Sequence, residues 1–180
     1  MTSVCLREGL LAGRSIVRIG AARVGDTCVA LGADVVELRA DALDEEALGA
    51  EVAAIAGADA IVADAATPFA DSGGGYEGLR AALDRAWNAV RAVANAHLIT
   101  GGGRIVLLAP PPGAGEHAGA LRAALENTAR TLSTEWTRHG VTTVAVLPGD
   151  ATTADELAQT VAFLVSEGGA YFSGCALTLT

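Results

Sequence analysis

Few side chains in this sequence are equipped for chemistry. It contains no lysine, so all 12 of its cationic side chains are arginine. His97, His117 and His139 are the groups whose ordinary pKa lies near neutrality. They stand far apart and share no ligand spacing with Cys5, Cys28 or Cys175, so no metal centre is expected. The cysteines follow no Cys-x-x-Cys pattern and are expected as small buried or half-buried side chains, not a disulfide framework. Two backbone features remain. A glycine turn, Gly20–Gly25 (GAARVG), follows an apolar run. A Pro148-Gly149 break with Thr153 beyond it interrupts another apolar run.

The elements that must position these residues alternate between short apolar runs and helical patterns, which points to a parallel α/β sheet. Strands are expected at 15–19 (SIVRI), 34–38 (DVVEL), 60–63 (AIVA), 104–108 (RIVLL), 141–147 (VTTVAVL) and 176–180 (ALTLT). A brief helix is expected over 26–31, and one from Asp44, with Glu45 and Glu46 in its first turn, through Ile55. Residues 67–75 (TPFADSGGG) are expected as a loop. Long helices follow over 77–98, with Leu79, Leu83, Trp87, Val90 and Ala94 on one stripe, and over 118–139, with Leu121, Leu125, Leu132 and Trp136 on one face. Thr153-x-x-Glu156 is a capping box opening a helix through Ser166. No repeat or linker divides the 180 residues, so one doubly wound, Rossmann-like domain of about six strands, with helices on both faces, is expected.

This order and several motifs resemble the short-chain dehydrogenase/reductase family. "GGRIVLLAPPPG" is similar to its strand-and-serine-loop motif, and "AGALRAALENTARTLSTEW" to its catalytic helix. "VTTVAVLPGDATT" resembles its Pro-Gly motif, "VAFLVSEGGAYFSGCALTL" its last helix and strand, and, more loosely, "GRSIVRIGAARVG" its first glycine motif. The resemblance implies a Rossmann-type fold, a nicotinamide dinucleotide, and a serine, tyrosine and lysine centre supported by an asparagine. Tyrosine and lysine stand four residues apart in that family because i and i+4 share a helix face, which lets the cation tune the phenol. Here the tyrosine position is Ala118 and the lysine position Arg122. The serine position falls near Ala109 or Pro110 and the asparagine near Ala82 or Leu83. Tyr76 with Arg80 repeats the spacing, but at the start of another helix, and His117 is a titratable neighbour of Ala118. No catalytic residue is therefore assigned.

On the cofactor side the resemblance implies remnants at Gly20, Arg23, Gly25, Asp41, Pro148, Gly149 and Thr153, with "ADAA" (63–66) in place of the family's Asn-Asn-Ala-Gly. The segment from Gly20 to Gly32 is short, and residues 33–48 fuse the family's second and third strands. No cofactor is expected on this account, with NAD or NADP as the alternative. The two long helices correspond to the pair that the family packs into a four-helix bundle between subunits. The expectation is a non-catalytic subunit that pairs with itself or with an active family member. The alternatives are an oxidoreductase with an unusual centre and a nucleotide or acyl-CoA sensor.

Composition narrows the partners. A net charge of −9 disfavours a surface built for nucleic-acid phosphates or anionic lipid. Arg7 and Glu8 interrupt the N-terminal stretch where a secretory signal needs continuous apolar residues. The longest uncharged run, 168–180, is too short to span a bilayer. A cytoplasmic protein is expected.

Overall fold

The computed structural model describes residues 6–180, so Cys5 lies outside the described residues. Six parallel strands form one sheet: β1 (Ser15–Ile19), β2 (Asp34–Glu37), β3 (Ala60–Asp64), β4 (Gly103–Leu108), β5 (Val141–Leu147) and β6 (Cys175–Thr178), in the order β2-β1-β3-β4-β5-β6. The helices are α1 (Ala22–Ala30), α2 (Glu45–Ala53), α3 (Ala66–Asp71), α4 (Tyr76–Val93), α5 (Ile99–Gly101), α6 (Ala118–Trp136) and α7 (Ala154–Val165). This is the doubly wound, Rossmann-like arrangement expected from the alternation.

Central strands are buried on both faces, so β3 and β5 read as continuous apolar runs. Alternate residues feed two cores. Val17, Ile61, Ile105 and Leu107 pack under the α4 and α6 side, with Leu121, Leu125 and Leu132. Ile16, Val62, Val106 and Val144 pack under the α1 and α7 side, with Val24, Val161 and Val165. Cys28 joins this second core, and burial pushes its thiol up to about 11, which keeps it protonated at neutral pH.

Local signals set the helix ends. Asp44 caps α2 by accepting from the Ala47 amide at 3.0 Å. Thr153 and Glu156 form both halves of the capping box on α7, and Thr153's amide and hydroxyl hold the Glu156 carboxyl below its ordinary range. Besides shifts of one to three residues at other ends, three differences from expectation have physical causes. α1 starts at Ala22 rather than 26, because the turn needs only Gly20 and Ala21. Residues 66–71 are helical, with Asp64 accepting from the Ala66 and Thr67 amides that open that turn. The long helix expected over 77–98 widens after Val93 into a π turn, Ala94–Leu98, and ends in α5.

The expected stripe on α4 is divided: Val90 and Ala94 are buried in the core with Ala82, Ala86 and Ala89, whereas Leu79 and Leu83 are half-buried and Trp87 is 42% exposed. Trp87 stacks on Trp136 of α6, with ring centroids 6.5 Å apart and planes at 17°. Beside this stack runs a groove of about 330 Å³ between α4 and α6, lined by Leu83, Trp87, Val90, Ala124 and Thr128. Among the described residues no helix is long and apolar enough to cross a membrane.

Candidate functional site

In a doubly wound sheet, ligands bind beyond the carboxyl ends of the strands where the winding direction reverses. Here that point lies between β1 and β3, whose tips carry Gly20 and Asp64. Gly20 turns the chain with φ 69°, and a side chain there would meet Asp64 at 2.8 Å. Ala21 follows in the left-handed region, at φ 50°. Asp64, 9% exposed, ties the two tips together. Its carboxylate accepts from the Ala21 amide at 3.1 Å, the Ala66 amide at 2.8 Å and the Thr67 hydroxyl at 2.6 Å. Helix α1 starts directly above this knot. Its opening amides, at Ala22 and Arg23, have no intrahelical acceptors, and they lie at the positive end of the helix dipole.

The other expected cofactor residues have structural partners. Arg23 donates to Asp155 of α7 at 2.7 Å, an exposed ion pair between the openings of two helices. Gly25 lies inside α1, not in the turn, and its missing side chain leaves room for the Arg18 guanidinium. Asp41 is paired with Arg85 of α4 at 3.2 Å. Gly149 lets the terminal segment pass overhead, since a Cβ would come within 2.8 Å of the Leu179 carbonyl. Thr153 is the α7 cap. Pro148 offers its carbonyl to Arg122 at 2.6 Å. The seven residues therefore surround the carboxyl edge of the sheet, but only Gly20 and Arg23 stand at the reversal point itself.

One residue at that point escaped the sequence reading. Glu37 ends β2, 17 positions after Gly20. It is where a Rossmann-type fold places its ribose-binding acid, roughly 20 residues beyond the glycine turn. It forms an ion pair with Arg18, whose Nη1 lies 3.0 Å away, and Arg39 lies 3.6 Å away. Arg18 in turn donates to the Gly20 carbonyl at 2.6 Å, linking the β2 tip to the glycine turn. The spacing from Gly20 and the end of a predicted strand were sufficient to find Glu37; Asp41, four residues later, drew attention away from it.

The end of the same edge where the resemblance places the catalytic residues is filled with structure. Ala118 is fully buried, and Ala109 is 1% exposed. Arg122 sends one nitrogen to the Pro110 carbonyl at 2.7 Å and the Pro148 carbonyl at 2.6 Å, clamping the loops after β4 and β5 together. Burial pushes the Arg122 guanidinium below its ordinary value, and the Asp150 carboxylate pulls it back up. It stays charged and tunes nothing. Asp150 adds a second clamp by accepting from the Gly113 amide at 2.8 Å. Tyr76 reaches this region, in edge contact with His117 at 6.4 Å between centroids, while its sequence partner Arg80 pairs with Asp84 instead. Among the described residues no group of three or more histidines, cysteines and carboxylates is placed to hold a metal ion.

No protein-family model and no curated protein matches the sequence. Solved structures do match its fold. A citronellol catabolism dehydrogenase of Pseudomonas aeruginosa superposes with a TM-score of 0.81 at 24% identity, covering 99% of this chain and 98% of that one. The enoyl-acyl carrier protein reductase of Bacillus cereus, solved with NADP+ and an indole naphthyridinone, gives 0.77 at 17% identity and 96% of each chain. BdcA in complex with NADPH gives 0.73 at 19% identity and 94% of each chain. The fold is that of the short-chain dehydrogenases and reductases, as the motifs implied.

These structures correct the expectation that no cofactor binds. Two of the three hold a nicotinamide dinucleotide in this fold. The expectation rested on the short segment from Gly20 to Gly32 and on the fused strands at 33–48. Helix α1 has nine residues and starts immediately after the turn, and β2 ends in an acid. The residues present suit the adenosine and pyrophosphate half of such a cofactor. At the nicotinamide end, the loops are clamped to each other by Arg122 and Asp150.

Proposed function

We propose that this chain is a subunit of short-chain dehydrogenase/reductase fold that holds a nicotinamide dinucleotide but does not itself carry out hydride transfer, and that it assembles through α4 and α6 with a second copy or with an intact member of the family. The observation that carries the first part is the contrast within one edge. The amides opening α1 and the Glu37 carboxylate are positioned for pyrophosphate and ribose hydroxyls. At the other end, a buried alanine and a carbonyl-bound arginine occupy the tyrosine and lysine positions. The cofactor supplies hydride when bound in an active enzyme; here no side chain at position 118 can give or take the accompanying proton. General acid–base catalysis accounts for roughly 10²–10⁴-fold of rate. The half-exposed Trp87 and its groove support the second part, since tryptophan is enriched at the centre of interfaces.

Glu37 favours the free 2′-hydroxyl of NADH over the 2′-phosphate of NADPH, by like-charge repulsion of the latter. Calorimetric titration should therefore show NADH binding more tightly than NADPH. Glu37→Ala should weaken NADH about tenfold and reverse the preference, because Arg18 and Arg39 would then face the ribose unopposed. Equal affinities unaffected by the substitution would place the dinucleotide elsewhere. In the same preparations, absorbance at the reduced-nicotinamide band should stay constant with ketones, aldehydes and enoyl thioesters. The contact between Tyr76 and His117 favours one rival, an oxidoreductase using that pair. Turnover abolished by Tyr76→Phe and by His117→Ala would establish it in place of the non-catalytic account.

A further inference from the structure

The end of the sheet opposite the reversal point has its own cluster of charge. There the chain leading into β1 and the start of β4 border a cavity of about 410 Å³, walled by Arg14, Asp59, Arg104, His139 and the glycine loops at 101–103 and 140. Arg104, the second residue of β4, is half-buried beside the end of α7. Its Nε is buried with no hydrogen-bond partner, and its Nη1 reaches the Val165 carbonyl only at 3.5 Å. A guanidinium has five N–H donors, and one carbonyl at the limit of bonding distance satisfies at most one of them. Among the described residues Arg104 takes part in no ion pair. Burial, and next the charge of Arg14, lower its pKa, while Glu167 and Asp59 act in the opposite direction.

The acids nearby are loosely engaged. Arg14 lies 3.9 Å from Asp59 and 3.6 Å from Glu167. The second Asp59 oxygen is taken by the Ser15 amide at 2.8 Å, and Glu167 is 92% exposed, free to swing into solvent. Two guanidinium groups thus share a hollow with an unfilled donor set: Arg14 has two carboxylates only at the outer range of ion pairing, and Arg104 has none among the described residues. We propose that this hollow is an oxyanion site that takes a phosphate group, as inorganic phosphate or as the monoester of a small metabolite. Phosphate fits because a guanidinium fork binds two of its oxygens in parallel, and a second guanidinium can take a third. The site is separate from the dinucleotide edge by the six residues of β4, about 20 Å at roughly 3.3 Å per residue.

The test is a melting curve in inorganic phosphate against chloride of matched ionic strength. At about 10 mM phosphate the expected rise is about 3 °C. Arg104→Met should remove most of that rise, and Glu167→Gln should lower the half-saturating phosphate concentration about threefold. Should Arg104→Met fail to fold, Arg14→Met and Glu167→Gln give the same information from the rim. A parallel series with glycerol phosphate separates the two sources: a larger rise than with inorganic phosphate assigns an ester, a smaller one the free ion. No rise beyond chloride, or a rise unchanged in Arg14→Met and Glu167→Gln, overturns the proposal.

Discussion

Trp87→Glu should yield a folded monomer where the native chain assembles. The fold tolerates the substitution because Trp87 is 42% exposed, and α4 is anchored to the sheet by Ala82, Ala86, Ala89 and Val93 instead. Assembly does not tolerate it. In a two-fold dimer each substitution is felt twice, and truncating a central tryptophan costs about 2–4 kcal/mol. Two such losses raise the dissociation constant about a thousandfold or more, before the cost of burying the new carboxylate. Sedimentation at micromolar concentration reads the change, with circular dichroism confirming the fold. Trp136→Glu is the less clean variant, since Trp136 is half-buried under the stack and packs against the core.

Asp64→Ala should be the most destabilising single substitution at the candidate site. Its carboxylate holds the Ala21, Ala66 and Thr67 amides and the Thr67 hydroxyl, and with them the β1 turn, the β3 tip and α3. Hydrogen bonds to a charged group contribute about 1.5–3 kcal/mol, and the amides left behind are part-buried. A loss of about 3 kcal/mol is expected, or roughly 6–12 °C in melting temperature for a chain of this size. NADH affinity should fall with it, because the α1 N-terminus is held over the site by this residue. Asp64→Asn should recover part of the stability, since one oxygen still accepts.

Asp64 also illustrates what the sequence did and did not disclose. The strands were legible because β3, β4 and β5 are buried on both faces and read as unbroken apolar runs. The caps at Asp44 and Thr153 were legible because their chemistry is local. Asp64 was not, since "ADAA" announces a departure from a family motif but not which groups the acid will reach 43 residues earlier in the chain. The helix in TPFAD was hidden by the same cause: its opening amides are satisfied by a side chain whose strand must be placed first. Gly25 was taken for part of the phosphate turn because glycine spacing alone cannot tell a turn from a close contact. Only the Arg18 side chain, two strand residues before Gly20, explains it. The stripe on α4 was visible as a pattern, yet its direction was not. Ala82, Ala86 and Ala89 share the buried side with Val90, and that turns Leu79 and Leu83 partly, and Trp87 mostly, outward.

Ala118 and Arg122, at the positions where the resemblance places a tyrosine and a lysine, are read directly from the sequence. What Arg122 does instead depended on two loops meeting: it bonds carbonyls 12 residues before it and 26 residues after it. Cofactor binding was misjudged for the reverse reason. A count of missing residues does not show that α1 still opens directly after the Gly20 turn and that β2 ends in Glu37.

The central claim is a non-catalytic subunit that assembles through α4 and α6 and carries a dinucleotide. Native mass measurement tests it most directly, on the purified chain and on the chain co-expressed with an intact family member from a neighbouring gene, each titrated with NADH. The account predicts a stable dimer, of two copies or one of each, in which this chain's subunit gains the mass of one dinucleotide. A folded monomer at micromolar concentration in both preparations, with no mass added by NADH, would contradict it.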